Sequence, residues 1–283
     1  MVASRVMRDF LLGAVAYDAK VVPIWEGFRA FFIERGLPFD FVLYSNYERQ
    51  VQAHLDGEID VAWNSPLAWI ESLRAGIKLG RTAEAIAMRD TDRDLTSVVI
   101  VRADSAMHEV AHLRGKSLGV GAADSPQATL IPLASLADLG VEGKVVRHDV
   151  LVGKHGDHIG GERDAVKALL AGTVDAACII DGNRLAFTRE GLIGTAGPTA
   201  VRVVHQTVPY DHCNFTVFDN RHPNTEKFTS LLFAMSYDDP ALRPLLDMEG
   251  LKKWLPGRVN GYVPLEKAVD RFRYLDEWLA RIG

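Results

Sequence analysis

One short pattern, L-x-G-x-x-D-x-A, occurs twice in this chain and constrains its fold more than any other feature. The first copy occupies residues 55–62 within His54–Trp63, and the second occupies residues 170–177 within Leu169–Cys178. In each copy we predict the end of a helix, a glycine that leaves it in the left-handed conformation, and a short buried strand. Two such units predict two similar α/β lobes with one cleft between them.

The residues that directly follow the two copies are the first candidates for a binding site. In an open α/β sheet, ligands bind beyond the carboxyl ends of the strands. Trp63–Ser65 follows the first predicted strand end, and Cys178–Asn183 contains the second. We therefore expect these two segments to face the cleft.

The composition is that of a soluble α/β protein with enough apolar residues for two cores. Of 283 residues, 48% are hydrophobic and 24% are charged, with a net charge of −5. The charges are dispersed along the sequence. It therefore predicts neither a basic surface that binds nucleic acid nor a polybasic segment that binds a membrane. Cys178 and Cys213 do not make a disulfide framework, and they leave the compartment open.

The start of the chain carries a short apolar run at Phe10–Ala16. This run is too short to span a membrane. It lacks the pattern of a secretory leader, and no cysteine is present for a lipid anchor. The sequence as written therefore predicts a cytoplasmic protein, or a periplasmic or extracytoplasmic one if a leader has been trimmed.

Strand and helix patterns alternate over the first hundred residues and then restart. This predicts two lobes, each a mostly parallel sheet flanked by helices. We predict a discontinuous first lobe (1–102 plus 210–283) and an inserted second lobe (103–209), with the two crossover strands as a hinge. A strand at Leu95–Val101 would close the first lobe, and the apolar spacing over Leu265–Ile282 predicts one C-terminal helix.

Four segments resemble a known family. They are V-Q-A-H-L-D-G-E-I-D-V-A-W-N-S-P-L-A-W (51–69), H-L-R-G-K-S-L-G-V-G-A-A-D-S-P-Q-A-T-L-I-P (112–132), D-A-V-K-A-L-L-A-G-T-V-D-A-A (164–177) and V-V-H-Q-T-V-P (203–209). In their order along the chain and in their residues, these segments are similar to the phosphate/phosphonate-type solute-binding proteins of ABC importers, which have the type 2 periplasmic-binding fold. The chain also resembles the sulfonate- and pyrimidine-type members.

The resemblance implies a small-molecule ligand, clamped in the cleft by hinge closure, and an ABC permease or another protein as partner. We predict no cofactor, no nucleic-acid partner and no insertion into a membrane. In relatives that bind phosphonates, adjacent hydroxyl residues and helix N–H groups hold the oxyanion. Here the turn Asp124–Ala128 keeps one hydroxyl, at Ser125, and Pro126 lacks an N–H. We therefore expect a shared fold with different ligand contacts.

The candidate contacts of the first lobe follow two strands. Tyr17 and Asp18 follow the first strand, where the alternative is a solvated loop. Trp63 could stack on a planar ligand, and Asn64 could donate or accept hydrogen bonds. The alternative is that Trp63 belongs to the core and that Ser65 caps a helix, although a cap in the cleft still faces the ligand.

In the second lobe, Ser125, Gln127 and Ala128 form the strongest candidate site. They lie at a helix N-terminus, whose free N–H groups and dipole attract anions. Asp181 and Asn183, after the second copy of the pattern, complete the predicted ring, although Asp181 could simply cap the next helix.

His155 and His158 are further candidate ligand contacts. Together with Asp157 they have a spacing that a metal could use, but no established metal motif accompanies them, and no metal is predicted.

The run Tyr210–Asn214 is expected to face the cleft where the chain returns to the first lobe. Tyr210, His212 and Cys213 are candidate ligand contacts. If the chain is an enzyme, His212, Cys213 and Asp211 would be its catalytic residues. Adjacent residues of a strand point to opposite faces, so direct contact between His212 and Cys213 is not expected.

The sequence favours a solute-binding protein for a small polar or anionic molecule, such as a phosphonate, sulfonate or carboxylate. The alternative is a cytosolic enzyme, similar to a decarboxylase or lyase, that is built on the same fold and uses the cleft His, Cys and Asp residues. A third hypothesis, a cytosolic ligand sensor, has no appended signalling domain to support it.

Overall fold

The computed structural model describes residues 9–17, 19–149, 158–219 and 221–282. The strands are β1 Phe10–Val15, β2 Phe39–Tyr44, β3 Val61–Asn64, β4 Ala83–Arg89, β5 Ser97–Arg102, β6 Ser117–Val120, β7 Lys144–Arg147, β8 Ala176–Ile180, β9 Val201–Gln206, β10 Asn214–Phe218 and β11 Trp254–Pro256. The α-helices are α1 Val21–Glu34, α2 Tyr47–Leu55, α3 Pro66–Lys78, α4 Ile131–Asp138, α5 His158–Leu170, α6 Asp181–Arg189, α7 Thr225–Phe233, α8 Arg243–Glu249, α9 Val263–Phe272 and α10 Asp276–Arg281. Within these described ranges, no helix is both long and apolar enough to cross a bilayer.

Contacts between residues divide the chain into two compact units. The first unit contains the chain up to Arg93, His212–Val259 and the chain from Trp278, whereas the second contains Asp94–Asp211 and Asn260–Glu277. These bounds differ from the predicted lobes in three places, because residues 94–102, residues 210–211 and Asn260–Glu277 all belong to the second unit. Strand β5 belongs to the second unit because it pairs with β8 and β9, and Asn260–Glu277 joins it because α9 packs on α4.

The first unit is built on a six-stranded sheet in the order β11-β4-β10-β3-β1-β2. Strand β1 pairs in parallel with β2 and β3, and β10 and β11 add antiparallel pairings. An aromatic cluster fills its core, because α1 places Trp25, Phe28 and Phe32 on its buried face. Such large rings bury much apolar area and supply most of the favourable packing energy of a core.

The second unit is built on a five-stranded sheet in the order β7-β6-β8-β5-β9. Strand β6 pairs in parallel with β7 and β8, and β5 pairs antiparallel with β8 and β9. Because side chains alternate along β5, Val98 and Ile100 enter one core cluster while Val99 and Val101 enter another. Each sheet is therefore mixed and not mostly parallel as predicted. Three parallel strands lie beside strands that pair antiparallel, which are β4, β10 and β11 in the first unit and β5 and β9 in the second.

Both copies of the repeated pattern fold as predicted. Helix α2 ends at Leu55 and α5 ends at Leu170, and the following Gly57 and Gly172 have φ of +76° and +74°. In each copy the aspartate side chain then accepts a backbone hydrogen bond from the neighbouring strand or its entry. Leu11 N donates to Asp60 at 2.8 Å, and Ser117 N donates to Asp175 at 2.8 Å.

The C-terminal segment departs from the predicted single helix over Leu265–Ile282. Helix α9 ends at Phe272, and Arg273 takes a left-handed conformation with φ of +51°, after which α10 begins at Asp276. A left-handed residue interrupts the helical hydrogen bonds, so the apolar spacing continues across a break. Strands β4 and β11 have no counterpart in the prediction, because β4 is rich in alanine and β11 has three residues.

Candidate functional site

The turn after β6 begins a helix as the sequence predicts. Ser125 is the N-cap: its hydroxyl oxygen accepts a hydrogen bond from Ala128 N at 3.2 Å, and Pro126 takes the first helical position. The first turn, Pro126–Leu130, is a π-helix, in which Leu130 N donates to Ser125 O at 3.0 Å. Such wide turns occur often at functional sites. Ser125, Gln127 and Ala128 are all buried, so they are brought together as predicted.

A hydroxyl pair fixes the position of this turn on β5. Ser97 Oγ donates to the carbonyl oxygen of Gln127 at 2.6 Å, and Tyr210 OH lies 2.7 Å from the same Oγ. Tyr210 is itself buried, and Leu95 forms an isolated antiparallel bridge with it. The prediction that Tyr210 lies where the chain re-enters the first lobe is thus corrected: its side chain anchors the second unit.

Two buried carboxyl groups accompany the turn. Asp124 lies in the turn, and its Oδ1 is 3.4 Å from His158 Nε2. Glu162, on the buried face of α5, accepts hydrogen bonds from Ile180 N at 2.9 Å and from Asn183 Nδ2 at 3.0 Å. Burial raises the pKa of Glu162 to about 7 against the lowering effect of these hydrogen bonds. Strongly shifted carboxyl groups of this kind concentrate at functional sites.

Gln127 and Glu162 each have a side-chain oxygen that makes no hydrogen bond to the described residues. These oxygens are Gln127 Oε1 and Glu162 Oε1, and both are fully buried. Gln127 also lowers the pKa of Glu162, as expected for side chains that lie close together. An unpartnered buried acceptor carries a cost of about 1–3 kcal/mol, so a bound N–H or O–H donor would be favoured here.

Sequence reasoning missed Glu162, although a signal for it was present. Glu162, Ala165, Val166 and Leu169 form the buried stripe of α5 at helical spacing. A glutamate on such a stripe is costly unless it is hydrogen-bonded, and this alone marks it for attention. Asn183 lies beside the cluster, because it donates a hydrogen bond to Glu162. Asp181 does not cap α6 and instead accepts from Arg184 Nε at 2.6 Å.

The last two residues of β3 and the serine that follows them serve mainly the fold. Trp63 is 7% exposed and packs against Phe215 with 4.6 Å between ring centroids. Asn64 is buried, accepts from Gln50 Nε2 at 2.8 Å and donates to Thr216 Oγ1 at 2.8 Å. Ser65 caps α3 by accepting from Ala68 N at 3.2 Å. The alternative interpretations of Trp63 and Ser65 are the ones observed, and Asn64 has its hydrogen bonds satisfied inside the protein.

The remaining candidates fall into two groups. Tyr17 is 41% exposed just beyond β1, a position that a ligand or solvent can reach. Asp18 and His155 lie outside the described residues.

His212 and Cys213 contact each other directly, contrary to the expectation from strand alternation. His212 Nδ1 lies 3.1 Å from Cys213 Sγ, because both residues precede β10, which begins at Asn214. The carboxylate beside His212 is that of Asp92, whose Oδ1 lies 3.5 Å from His212 Nδ1. The Asp211 carboxylate instead accepts a hydrogen bond from Asp94 N at 3.2 Å. Burial raises the pKa of the Cys213 thiol well above its usual value, which opposes the thiolate that a nucleophile needs.

The sequence matches one protein family. The model of the family described as "ABC transporter, phosphonate, periplasmic substrate-binding protein" matches residues 18–262. No curated protein matches this sequence.

The fold matches that of several solved structures. PhnD1 from Prochlorococcus marinus, in complex with methylphosphonate, is 16% identical with a TM-score of 0.68, over 94% of this chain and 98% of its own. XAC2383 from Xanthomonas citri, bound to chloride, is 18% identical with a TM-score of 0.68, over 95% and 99%. The putative periplasmic sulfonate-binding protein SsuA from Methylobacillus flagellatus is 13% identical with a TM-score of 0.60, over 95% and 87%. Identities this low establish the shared fold alone. The structural matches confirm the predicted type 2 periplasmic-binding fold.

Proposed function

We infer the function from one premise: this chain belongs to the family of periplasmic substrate-binding proteins of phosphonate ABC transporters. It is a solute-binding protein, with a small molecule as ligand and a permease as partner. We propose that the buried polar cluster of the second unit, formed by Asp124, Gln127, His158, Glu162 and Asn183, contacts this ligand.

We propose further that the ligand carries an amino group beside its phosphonate, sulfonate or carboxylate group. The observation that carries this proposal is the pair of buried acceptors, Gln127 Oε1 and Glu162 Oε1. An ammonium group can donate to both atoms and compensates the charge of an ionised carboxylate. An oxyanion placed at the same point would meet the carboxyl groups of Asp124 and Glu162.

Matched ligand pairs test this proposal by isothermal titration calorimetry. We expect 2-aminoethylphosphonate to bind more tightly than ethylphosphonate, and taurine more tightly than ethanesulfonate, by at least about tenfold. Equal affinities within both pairs would refute the amino-group assignment. If no member of either pair binds, and carboxylates and pyrimidines also fail, the ligand class itself is wrong.

Variants of two glutamates separate recognition from stability. Glu162→Gln removes the carboxylate with little change of shape, and we expect it to weaken the amino ligands about tenfold or more while leaving the amino-free ligands unchanged. Glu190→Gln is the matched control, because Glu190 is an exposed glutamate of the same unit that pairs with Arg163. Equal effects of the two substitutions would contradict the assignment.

The location and the motion of the protein also remain proposals. We propose that the protein acts on the periplasmic side, as the description of its family implies, and fractionation of cells that express the native gene tests this. The predicted hinge closure is tested by small-angle scattering, in which saturating ligand should reduce the radius of gyration.

A further inference from the structure

We propose that Asp92, His212 and Cys213 of the first unit form a binding site for one divalent transition-metal ion of the zinc class. One ligand atom from each residue lies within 4.8 Å of the others. His212 Nδ1 is 3.1 Å from Cys213 Sγ and 3.5 Å from Asp92 Oδ1. The site is separate from the polar cluster of the second unit, and it does not depend on the proposed ligand.

The two distances from His212 Nδ1 are close to those of tetrahedral coordination. Metal–ligand bonds of about 2.3 Å to sulfur and about 2.0–2.2 Å to nitrogen and oxygen place neighbouring ligand atoms about 3.4–3.6 Å apart. The observed separations from His212 Nδ1 therefore need adjustments of only a few tenths of an ångström. A thiolate, an imidazole and a carboxylate are a donor set that suits Zn²⁺ and related ions. Three protein ligands leave a fourth position for water.

The surrounding backbone holds the three side chains in place. His212 N donates to Asp92 O at 2.8 Å, which ties the turn after β4 to the segment before β10. The Arg89 guanidinium donates two hydrogen bonds to the Asp92 carboxylate, from Nε at 2.6 Å and from Nη2 at 2.9 Å. Hydrogen bonds of this kind to a ligating carboxylate orient it and are a regular part of metal sites.

Arg89 does not exclude a cation, because other charges balance it. Its Nη1 also contacts Glu249 Oε1 at 3.2 Å. With a dication bound, the charges of the metal and Arg89 are matched by Asp92, Glu249 and a Cys213 thiolate, and the buried cluster is neutral. The thiol proton leaves to solvent as Sγ coordinates. The His212 side chain is 23% exposed, which provides a route of entry.

Cobalt substitution tests the site, because Co²⁺ bound to a thiolate shows a near-ultraviolet charge-transfer band. We expect full-length, chelator-treated protein to show this band with one equivalent of Co²⁺, and Zn²⁺ to displace it. The band should disappear in Cys213→Ser and remain in Cys178→Ser, the matched control, since Cys178 is the other buried free cysteine. Absence of the band from the unmodified protein, or its persistence in Cys213→Ser, would overturn the proposal.

A second variant keeps the test independent of folding defects at the buried cysteine. His212→Gln changes a half-buried side chain, and we expect it to lower Zn²⁺ affinity about 100-fold in calorimetry while the circular dichroism spectrum stays unchanged. His108→Gln, at an exposed histidine of the second unit, should leave Zn²⁺ affinity unchanged. An affinity for Zn²⁺ that is equal in both variants would show that surface histidines bind the ion and would refute the site.

Discussion

The Asp175 carboxylate accepts hydrogen bonds from both the backbone N–H and the hydroxyl of Ser117, at 2.8 and 2.7 Å. Asp175 N in turn donates to Ser117 O at 3.0 Å. The aspartate of the second repeat thereby fixes the register between the entry to β8 and the start of β6, the strand that leads to the turn at Ser125.

Removal of this carboxylate should loosen that register. We expect Asp175→Ala to lower the free energy of unfolding by about 1–2 kcal/mol, because charge-assisted hydrogen bonds contribute about 1.5–3 kcal/mol and less at a partly exposed site. Urea unfolding measures the change. Asp164→Ala is the control, since Asp164 pairs with Lys167 on the surface of α5; a loss as large as that of Asp175→Ala would argue against the register role.

Glu162 should make the protein less stable as pH rises. Its pKa of about 7 exceeds the ordinary value of 4.5, so between these pH values the folded chain keeps a proton that the unfolded chain has released. The unfolding free energy then falls with rising pH across this window, by at most about 3 kcal/mol, and levels off above it.

The variant Glu162→Gln isolates this effect, since an amide does not titrate. Chemical unfolding at intervals between pH 4.5 and pH 8 should show a smaller decline than in the unmodified protein. Parallel stability curves for the two proteins would contradict the assignment.

His54 should make the protein less stable as pH falls into the acidic range. Burial, followed by the charge of Arg81, lowers the pKa of His54 from 6.5 to about 3. Between these values the unfolded chain binds a proton that the folded chain does not, so stability is lost as pH falls from 6.5 towards 3, by at most about 4–5 kcal/mol. In His54→Gln this acid-dependent loss should shrink, as thermal unfolding over that range can show. An unchanged acid profile would place the titration elsewhere.

Alanine substitutions at two glycines of the second unit should change the stability of the protein in opposite directions. Gly172 has φ of +74°, where a Cβ is strained, so Gly172→Ala should destabilise by about 1–2 kcal/mol. Gly182 lies in α6 with open space where the Cβ of an alanine would stand, and Gly182→Ala should stabilise by about 0.5–1 kcal/mol. Denaturant midpoints compare the two, and a loss of stability in both variants would mean that α6 needs glycine for another reason.

The sequence predicts features that depend on neighbouring residues. The helix ends before Gly57 and Gly172 follow from the left-handed glycine, and the caps at Ser65 and Ser125 follow from a serine before a proline. Each is decided within four residues of chain, so a pattern suffices to find it.

Local sequence patterns do not reveal features that depend on contacts between residues far apart in the chain. The contact of Asp92 with His212 joins residues 120 positions apart, and the hydroxyl pair of Ser97 and Tyr210 joins residues separated by 113 positions. The unexpected contact of His212 with Cys213 has the same origin. Side chains alternate only within a strand, and Cys213 precedes β10, whose start is set by pairing of Asn214 with Asn64.

The π-helical turn Pro126–Leu130 inserts one residue beyond what an α-helix would hold between Ser125 and α4. Each residue of an α-helix advances about 100° around the axis, so side chains before the wide turn are rotated relative to the buried Ile131 and Ala134 that follow. A turn one residue shorter would rotate Gln127 by about 100° relative to the packed stripe of α4. The direction in which Gln127 points is therefore set by the length of this turn as well as by the identity of its buried residues.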